Sequence, residues 1–214
     1  MKDFLLVIAI FSACMWSSCG ADILVPVDPA IQAAEDSVII VNYIDGLGYS
    51  DRDSVLESGV HYVILDSGDV DPINESDIVN FDYIGKLLSD TLFDTSIEEI
   101  ADSVRTAVEQ DTLGTGEATL TQTALLIAFS DAKTYRPIEY TYSASGWTLG
   151  NSGFLGGFTD GVSAALNGLK VGGSALIVLP SAQAYGGRND IFLIPANTVI
   201  AFELKVASVR SQGQ

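Results

Sequence analysis

Cysteine, histidine and positive charge are scarce in this sequence, and each shortage removes a class of chemistry. The 214 residues include two cysteines, Cys14 and Cys19, and one histidine, His61. A histidine-rich metal centre cannot be built around one imidazole. His61 falls in an alternating run and is expected at a surface or an edge. Ten basic residues stand singly against 28 acidic ones, a net charge of −18. No basic patch exists to neutralise phosphates, so nucleic-acid binding is excluded. The same charge opposes binding to anionic lipid headgroups and favours solubility. Apolar residues, by contrast, make up 48% of the chain. That supplies a sizeable core and argues against disorder. The length suits one ordinary domain with an appendage, and no internal repeat is visible.

Both cysteines lie in the opening stretch, "MKDFLLVIAIFSACMWSSCGAD". Lys2 precedes an apolar run from Phe4 to Phe11 that is too short to span a bilayer. It reads as the hydrophobic region of a signal peptide. The small residues before Cys19 in "WSSCG" resemble the lipobox of bacterial lipoproteins, in which a cysteine becomes the lipidated first residue. Trp16 stands where that motif usually has an aliphatic residue, and Cys14 after "FSA" is the alternative. With Cys19 lipidated, the mature chain has no disulfide, no thiolate nucleophile and no cysteine metal site. Contact with a membrane is then through the lipid anchor alone. The expected location is the bacterial cell envelope, periplasmic or outer-membrane. Residues 1–19 are the signal peptide, and 20–58 are a tether with an N-terminal helix.

That helix is announced by Asp28 and Pro29, an N-cap followed by proline at the first helical position. Ile31, Ala34, Val38 and Val41 recur at helical spacing, so 29–44 reads as amphipathic. "GVHYVIL" (59–65) alternates as a strand does. The acidic stretch "DSGDVDPINESD" lacks the glycine and glutamate spacing of a calcium loop, and reads as solvated. "DIVNFDYIGKLL" (77–88) alternates with one strongly apolar face, and "TLFDTS" (91–96) follows a short turn. Ser96 and Glu99 then have the spacing of a capping box before a helical run. "LTQTALLIAF" (120–129) and "RPIEYTYSASG" (136–146) read as strands. "FLGGFTDGVSAALNGL" (154–169) reads as a turn into a short helix, with final strands at 172–180 and 197–209. Many short strands with one late helix predict an α+β domain on an antiparallel sheet.

Residues 77–96 and 136–207 resemble the FKBP-type peptidyl-prolyl cis–trans isomerases. The matching pieces come in family order. They are "VNFDYIGKLLSDTLFDTS", "RPIEYTYSASG", "FLGGFTDGVSAALNGLKVGG", "VLPSAQAYGG" and "LIPANTVIAFELKV". The resemblance implies a half-open antiparallel β-sheet wrapped around a short α-helix, spanning 59–209. It implies a proline pocket with Tyr83, Phe93, Asp94, Tyr185 and Phe202 in catalytic roles. Ile138, Tyr140, Phe154, Leu155, Phe158, Leu193 and Ile194 would bind substrate. Phe158 stands where many members have tryptophan. Asp94 would orient Tyr83, while the Leu155 N–H and the Tyr185 hydroxyl would hold substrate carbonyls. "GRNDIF" would form the flap. Neither cofactor nor metal is implied. The implied partners are proline-containing polypeptides and macrolide ligands of the FKBP type.

This sequence departs from the family pattern by an insertion of about forty residues, 97–135, beside Asp94. Two functions follow from the resemblance. One is an isomerase that assists folding of exported proteins. The other is a non-catalytic binding module of the envelope, its pocket occluded by the insertion.

Overall fold

A computed structural model describes residues 27–69, 73–74, 76–116, 118–143, 146–149 and 155–211. Cys14, Cys19 and Phe154 lie outside the described residues. The helices are α1 (Pro29–Gly46), α2 (Glu98–Thr115), α3 (Leu120–Ala128) and α4 (Gly156–Leu166). The strands are β1 (Asp53–Val55), β2 (His61–Asp66), β3 (Asp77–Leu87), β4 (Leu92–Thr95) and β5 (Ile138–Ser143). They continue with β6 (Gly146–Leu149), β7 (Ser174–Leu179) and β8 (Ile200–Ser211). Among the described residues these strands form one antiparallel sheet, ordered β1-β2-β7-β8-β3-β5-β6, with β4 paired to β3. The α+β fold with its half-open sheet around a short helix is therefore present, and the insertion contributes α2 and α3.

The sheet is covered on both faces. On one face α4 packs on Phe81, Ile177, Leu179, Phe202 and Leu204. Gly161 permits the approach, since a Cβ there would lie 2.4 Å from Ile177 Cγ2. On the other face Ile40 and Ile44 of α1 pack on Val63, Leu176, Val178 and Ala201. This two-sided burial explains why β7, "SALIVL", is almost continuously apolar, as expected for a strand buried on both faces. Each fully buried large side chain contributes roughly 1.5–3 kcal/mol relative to exposure.

Four expectations are corrected. First, residues 120–128 form a helix. Thr119 accepts from the Gln122 N–H at 3.2 Å, and Gln122 Oε1 accepts from the Thr119 N–H at 2.7 Å, a complete capping box. A short apolar run is ambiguous between strand and helix by periodicity, and the cap decides it. Second, Ser96 does not cap α2. Its hydroxyl donates to Asp82 Oδ1 at 2.8 Å and accepts from the Tyr83 N–H at 2.9 Å. The hydroxyl is engaged by β3, so the N-cap passes to Ile97, which makes no side-chain cap.

Third, α1 turns the opposite face inward. Ile31, Val38 and Val41 are exposed, and the buried positions are Asp36, Ile40 and Ile44. A buried partner for Asp36 makes this possible. Asp36 Oδ2 accepts from the Ser181 N–H at 2.8 Å and from Ser181 Oγ at 2.6 Å. Asp36 Oδ1 accepts from Gln32 Nε2 at 2.8 Å. Fourth, His61 is buried, with Nδ1 2.8 Å from Asp53 Oδ2. β1, which lies upstream of 59, covers the edge of β2 and shields it.

Candidate active site

The site begins with the long antiparallel pairing of β3 and β8. Its register sets Tyr83 opposite Leu204 and Gly85 opposite Phe202. The alternation of β3 then turns Phe81 and Tyr83 towards α4. β4 doubles back on β3 with Asp94 opposite Gly85, which sets Phe93 beside Phe202. The Phe93 and Phe202 ring centroids are 5.6 Å apart at 87°, an edge-to-face contact. Phe158, from the first turn of α4, lies 4.6 Å from Phe202 and 5.9 Å from Tyr83. Tyr83, Phe93, Phe158 and Phe202 thus share one apolar cluster, joined at its edge by Tyr185, Leu155, Leu193 and Ile138.

Sequence patterning misses the residue that permits this cluster. A Cβ at Gly85 would lie 2.7 Å from Phe93 Cε2 and 2.9 Å from Phe202 Cε1. The available signal is a lone glycine inside an alternating strand, which marks a close approach of neighbours.

Polar groups occupy one side. The Tyr83 hydroxyl donates to Asp94 Oδ2 at 2.7 Å. Burial, and then the adjacent Asp94 carboxylate, push the Tyr83 phenol far above its ordinary value. Burial and Asp94 raise Tyr185 as well. Both hydroxyls remain protonated donors at neutral pH. Asp94 Oδ1 accepts from its neighbour Thr95 N–H at 2.9 Å and forms an ion pair with Lys133. Lys133 belongs to the insertion, so that segment supplies the cation that compensates the site's carboxylate. No local pattern in "FSDAK" signals this role; it arises from packing 39 residues away.

Tyr185 follows a 3₁₀ turn at Ser181–Gln183. Its loop is fastened by the Gly186 N–H to the Ser181 carbonyl at 2.8 Å and by the Asn197 N–H to the Gly186 carbonyl at 2.7 Å. Ser181 is itself held by Asp36 of α1. In the flap, Arg188 grips Asp190 through two parallel hydrogen bonds of 2.9 and 2.8 Å. Ile194, nearly fully buried, anchors the far end.

Of the expected site residues, Tyr83, Phe93, Phe158, Phe202 and Ile194 converge in the core cluster. Asp94 joins them through Tyr83. Leu155 sits at the N-cap of α4. Tyr140 is set deeper: it is fully buried, its ring is 6.2 Å from Phe81, and its hydroxyl meets Ser163 and the Thr159 carbonyl of α4. It braces α4 against β5.

Residues 141–207 match the family model of the FKBP-type peptidyl-prolyl cis-trans isomerase. This matched segment lies in the C-terminal part of the chain. It contains Phe158, Tyr185, Ile194 and Phe202, while Tyr83, Phe93 and Asp94 reach the same cluster from outside it through the β3–β8 and β3–β4 pairings. The 46 kDa FK506-binding nuclear protein of Spodoptera frugiperda is 36% identical over 62 residues. That stretch is 29% of this chain and 14% of the insect protein's length. FkpA from Escherichia coli is similar in structure, with a TM-score of 0.44 and 19% identity, over 85% of this chain and 62% of its own. A peptidyl-prolyl cis-trans isomerase from Pseudomonas syringae has a TM-score of 0.45 and 20% identity, over 86% and 98%. The matched segment supplies Phe158 and Phe202 to the aromatic cluster, and β3 and β4 supply Tyr83 and Phe93.

Proposed function

We propose that this protein catalyses cis–trans isomerisation of X–Pro bonds in polypeptides. The observation that carries the reading is the packed cluster of Tyr83, Phe93, Phe158 and Phe202 with the Tyr83–Asp94 hydrogen bond at its edge. Rotation about an X–Pro bond crosses a barrier of about 18–20 kcal/mol, because the twisted state loses amide resonance. Uncatalysed exchange takes roughly 10–100 s. No bond is made or broken, so no acid, base or nucleophile is required. The planar amide is more dipolar than the twisted one, and water stabilises it more. An aromatic pocket excludes that water and grips the pyrrolidine ring, which favours the twisted state relative to the ground state.

The polar groups orient the peptide. Tyr185 donates to a substrate carbonyl, as does the N–H of Leu155. Asp94, hydrogen-bonded to Tyr83, stands by the twisting carbonyl. Orientation and fixed dipoles then supply catalysis without proton transfer. Proline-containing polypeptides are the substrates under this reading, and macrolides of the FK506 type would compete for the same pocket. α3 and the flap line an open cavity beside Phe93 and Tyr185, which favours catalysis over a pocket filled by the insertion.

The setting we propose is the cell envelope, with Cys19 lipidated and the domain assisting folding of exported proteins. The leader-like composition of 1–19 and the small residues before Cys19 support it. Labelled fatty acid should enter the chain in cells and be lost in Cys19→Ser. Label retained in that variant and lost in Cys14→Ser would move the anchor. The activity itself is tested by isomerisation of a proline tetrapeptide and by refolding of a proline-limited protein. A well-folded chain that accelerates neither would sink the reading.

A further inference from the structure

One three-residue pattern recurs that neither the fold nor the proposed pocket explains. Aspartate followed by serine or threonine and then valine or leucine occurs five times, at 36–38, 53–55, 90–92, 102–104 and 111–113. At this chain's content of aspartate, hydroxyl and aliphatic residues, chance would place about one such triplet. None lies in the matched segment 141–207. The five share no structural task. One is in α1, one forms β1, one joins β3 to β4, and two are in α2. Their aspartates meet five different partners, Ser181, His61, Lys86, Arg105 and Gln122. The helix N-caps are other residues, Asp28, Ile97, Thr119 and Leu155. What the triplets share is local, a hydroxyl set between a carboxylate and a branched aliphatic side chain. An enzyme that reads a short sequence finds it whatever fold surrounds it, as Asn-x-Ser/Thr is read in N-glycosylation. The hydroxyl is the group that such an enzyme modifies. A phosphoryl group there would set a charge of about −1.5 to −2 against the adjacent carboxylate, in a chain already at −18. A neutral sugar adds bulk and hydrogen-bonding groups without that repulsion.

We propose that these triplets are acceptor sequences for O-glycosylation, and that Thr91 and Ser103 carry the sugar. The hydroxyl oxygen attacks the anomeric carbon of a sugar held as a glycosyl phosphate. The bond from that carbon to the phosphate oxygen breaks, its electron pair leaves with the phosphate, and the hydroxyl proton passes to a base of the transferase. The folded chain favours these two positions, because hydroxyl and carboxylate are both accessible. Thr91 is exposed in the turn between β3 and β4, where Asp90 takes a left-handed φ of 66° and its side chain is 77% exposed. Ser103 is exposed on α2, and the Asp102 side chain beside it is 53% exposed. Elsewhere Asp36 is fully buried, and Ser54 and Thr112 are half-buried. The hydroxyls have little to lose. Ser103 gives up an exposed hydrogen bond to the Glu99 carbonyl, and the 3.2 Å contact of Thr91 persists with Ser89 as donor. The proposal does not depend on the isomerase reading.

The test uses the full chain isolated from the cells that make it. Intact mass is compared with the mass of the sequence, and modified residues are located by electron-transfer fragmentation, which leaves sugars in place. A lipid at Cys19 falls on a different peptide and is not confused with them. The expected result is a mass excess in whole sugar units, located at Thr91 and Ser103 and released by alkaline β-elimination. Thr91→Ala should lose the Thr91 share. Asp90→Asn should lose it too, although the hydroxyl remains. Ser89→Ala, which removes an exposed neighbouring hydroxyl outside the triplet, should keep it. Sugar on neither Thr91 nor Ser103 overturns the proposal, as does a mass excess that a phosphatase removes. Sugar that persists on Thr91 in Asp90→Asn overturns the triplet as its acceptor sequence. If a variant fails to accumulate, the location of sugar on the wild-type chain decides.

Discussion

Tyr83 is the residue on which packing and polarity meet. Its ring lies 6.1 Å from Phe202, and its hydroxyl is spent on Asp94. Tyr83→Phe keeps the ring and frees the carboxylate, so the expected loss is in kcat with KM nearly unchanged. A fall of about tenfold or more is expected, since tenfold is about 1.4 kcal/mol and a hydrogen bond to a charged group contributes roughly 1.5–3 kcal/mol. An unchanged kcat would remove Asp94 orientation from the mechanism. Gly85→Ala would drive a methyl into Phe93 and Phe202, at a cost of about 1–3 kcal/mol for overpacking. Denaturant midpoints measure the cost, and full stability with full activity would show that the rings need not touch there. The aromatic positions were legible because strand alternation points Phe81 and Tyr83 to one side and the family motifs mark Phe202. Lys133 was not legible, since an ion pair across 39 residues leaves no mark in local spacing.

At the scale of elements, the Asp36–Ser181 contact joins α1 to the turn that carries Tyr185. Asp36 is fully buried and accepts three hydrogen bonds. Asp36→Ala leaves Ser181 unsatisfied in the interior, an expected loss of about 1–3 kcal/mol. The loss should fall on the Tyr185 loop as well as on α1, read as faster amide exchange at Gly186 and Asn197. Protection at those amides equal to wild type would make α1 an independent appendage. The existence of α1 was legible from Asp28 and Pro29. Its buried face was not, because apolar residues lie all round 38–41, and the face turned inward combines Ile40 and Ile44 with the hydrogen-bonded carboxylate of Asp36. The same logic applies at Ser96, whose hydroxyl β3 takes from α2. In α3 the reverse holds. The capping pair Thr119 and Gln122 was present in the sequence, and the apolar run after it obscured the helix.

For the whole molecule, most of the sheet with α4 was legible because β2, β3, β7 and β8 each have their own alternation or two-sided apolar run; the short end strands β1 and β6 were not. The arrangement of the insertion was not, since its contacts with Asp94 and β4 are made by residues that no periodic pattern selects. The shared burial of its tyrosines gives a global pH response. Tyr83, Tyr140 and Tyr185 all have phenols raised above the ordinary value, with burial as the first cause. An unfolded tyrosine ionises near pH 10, so the folded state binds more protons above that pH. Stability from these groups is therefore fully present below about pH 10 and declines as pH rises further. Urea midpoints should fall above that pH, and Tyr83→Phe should fall less steeply than wild type; parallel slopes would exclude Tyr83 from the effect. The central claim is that an apolar pocket without acid–base groups turns X–Pro bonds. It is tested most directly by the isomerisation rate of one proline peptide with wild type, Tyr185→Ala and Phe202→Ala, each shown to be folded. The account predicts acceleration by the wild type, a marked loss in Tyr185→Ala and near-complete loss in Phe202→Ala. A folded wild type without activity, or a folded Phe202→Ala with full activity, would contradict it.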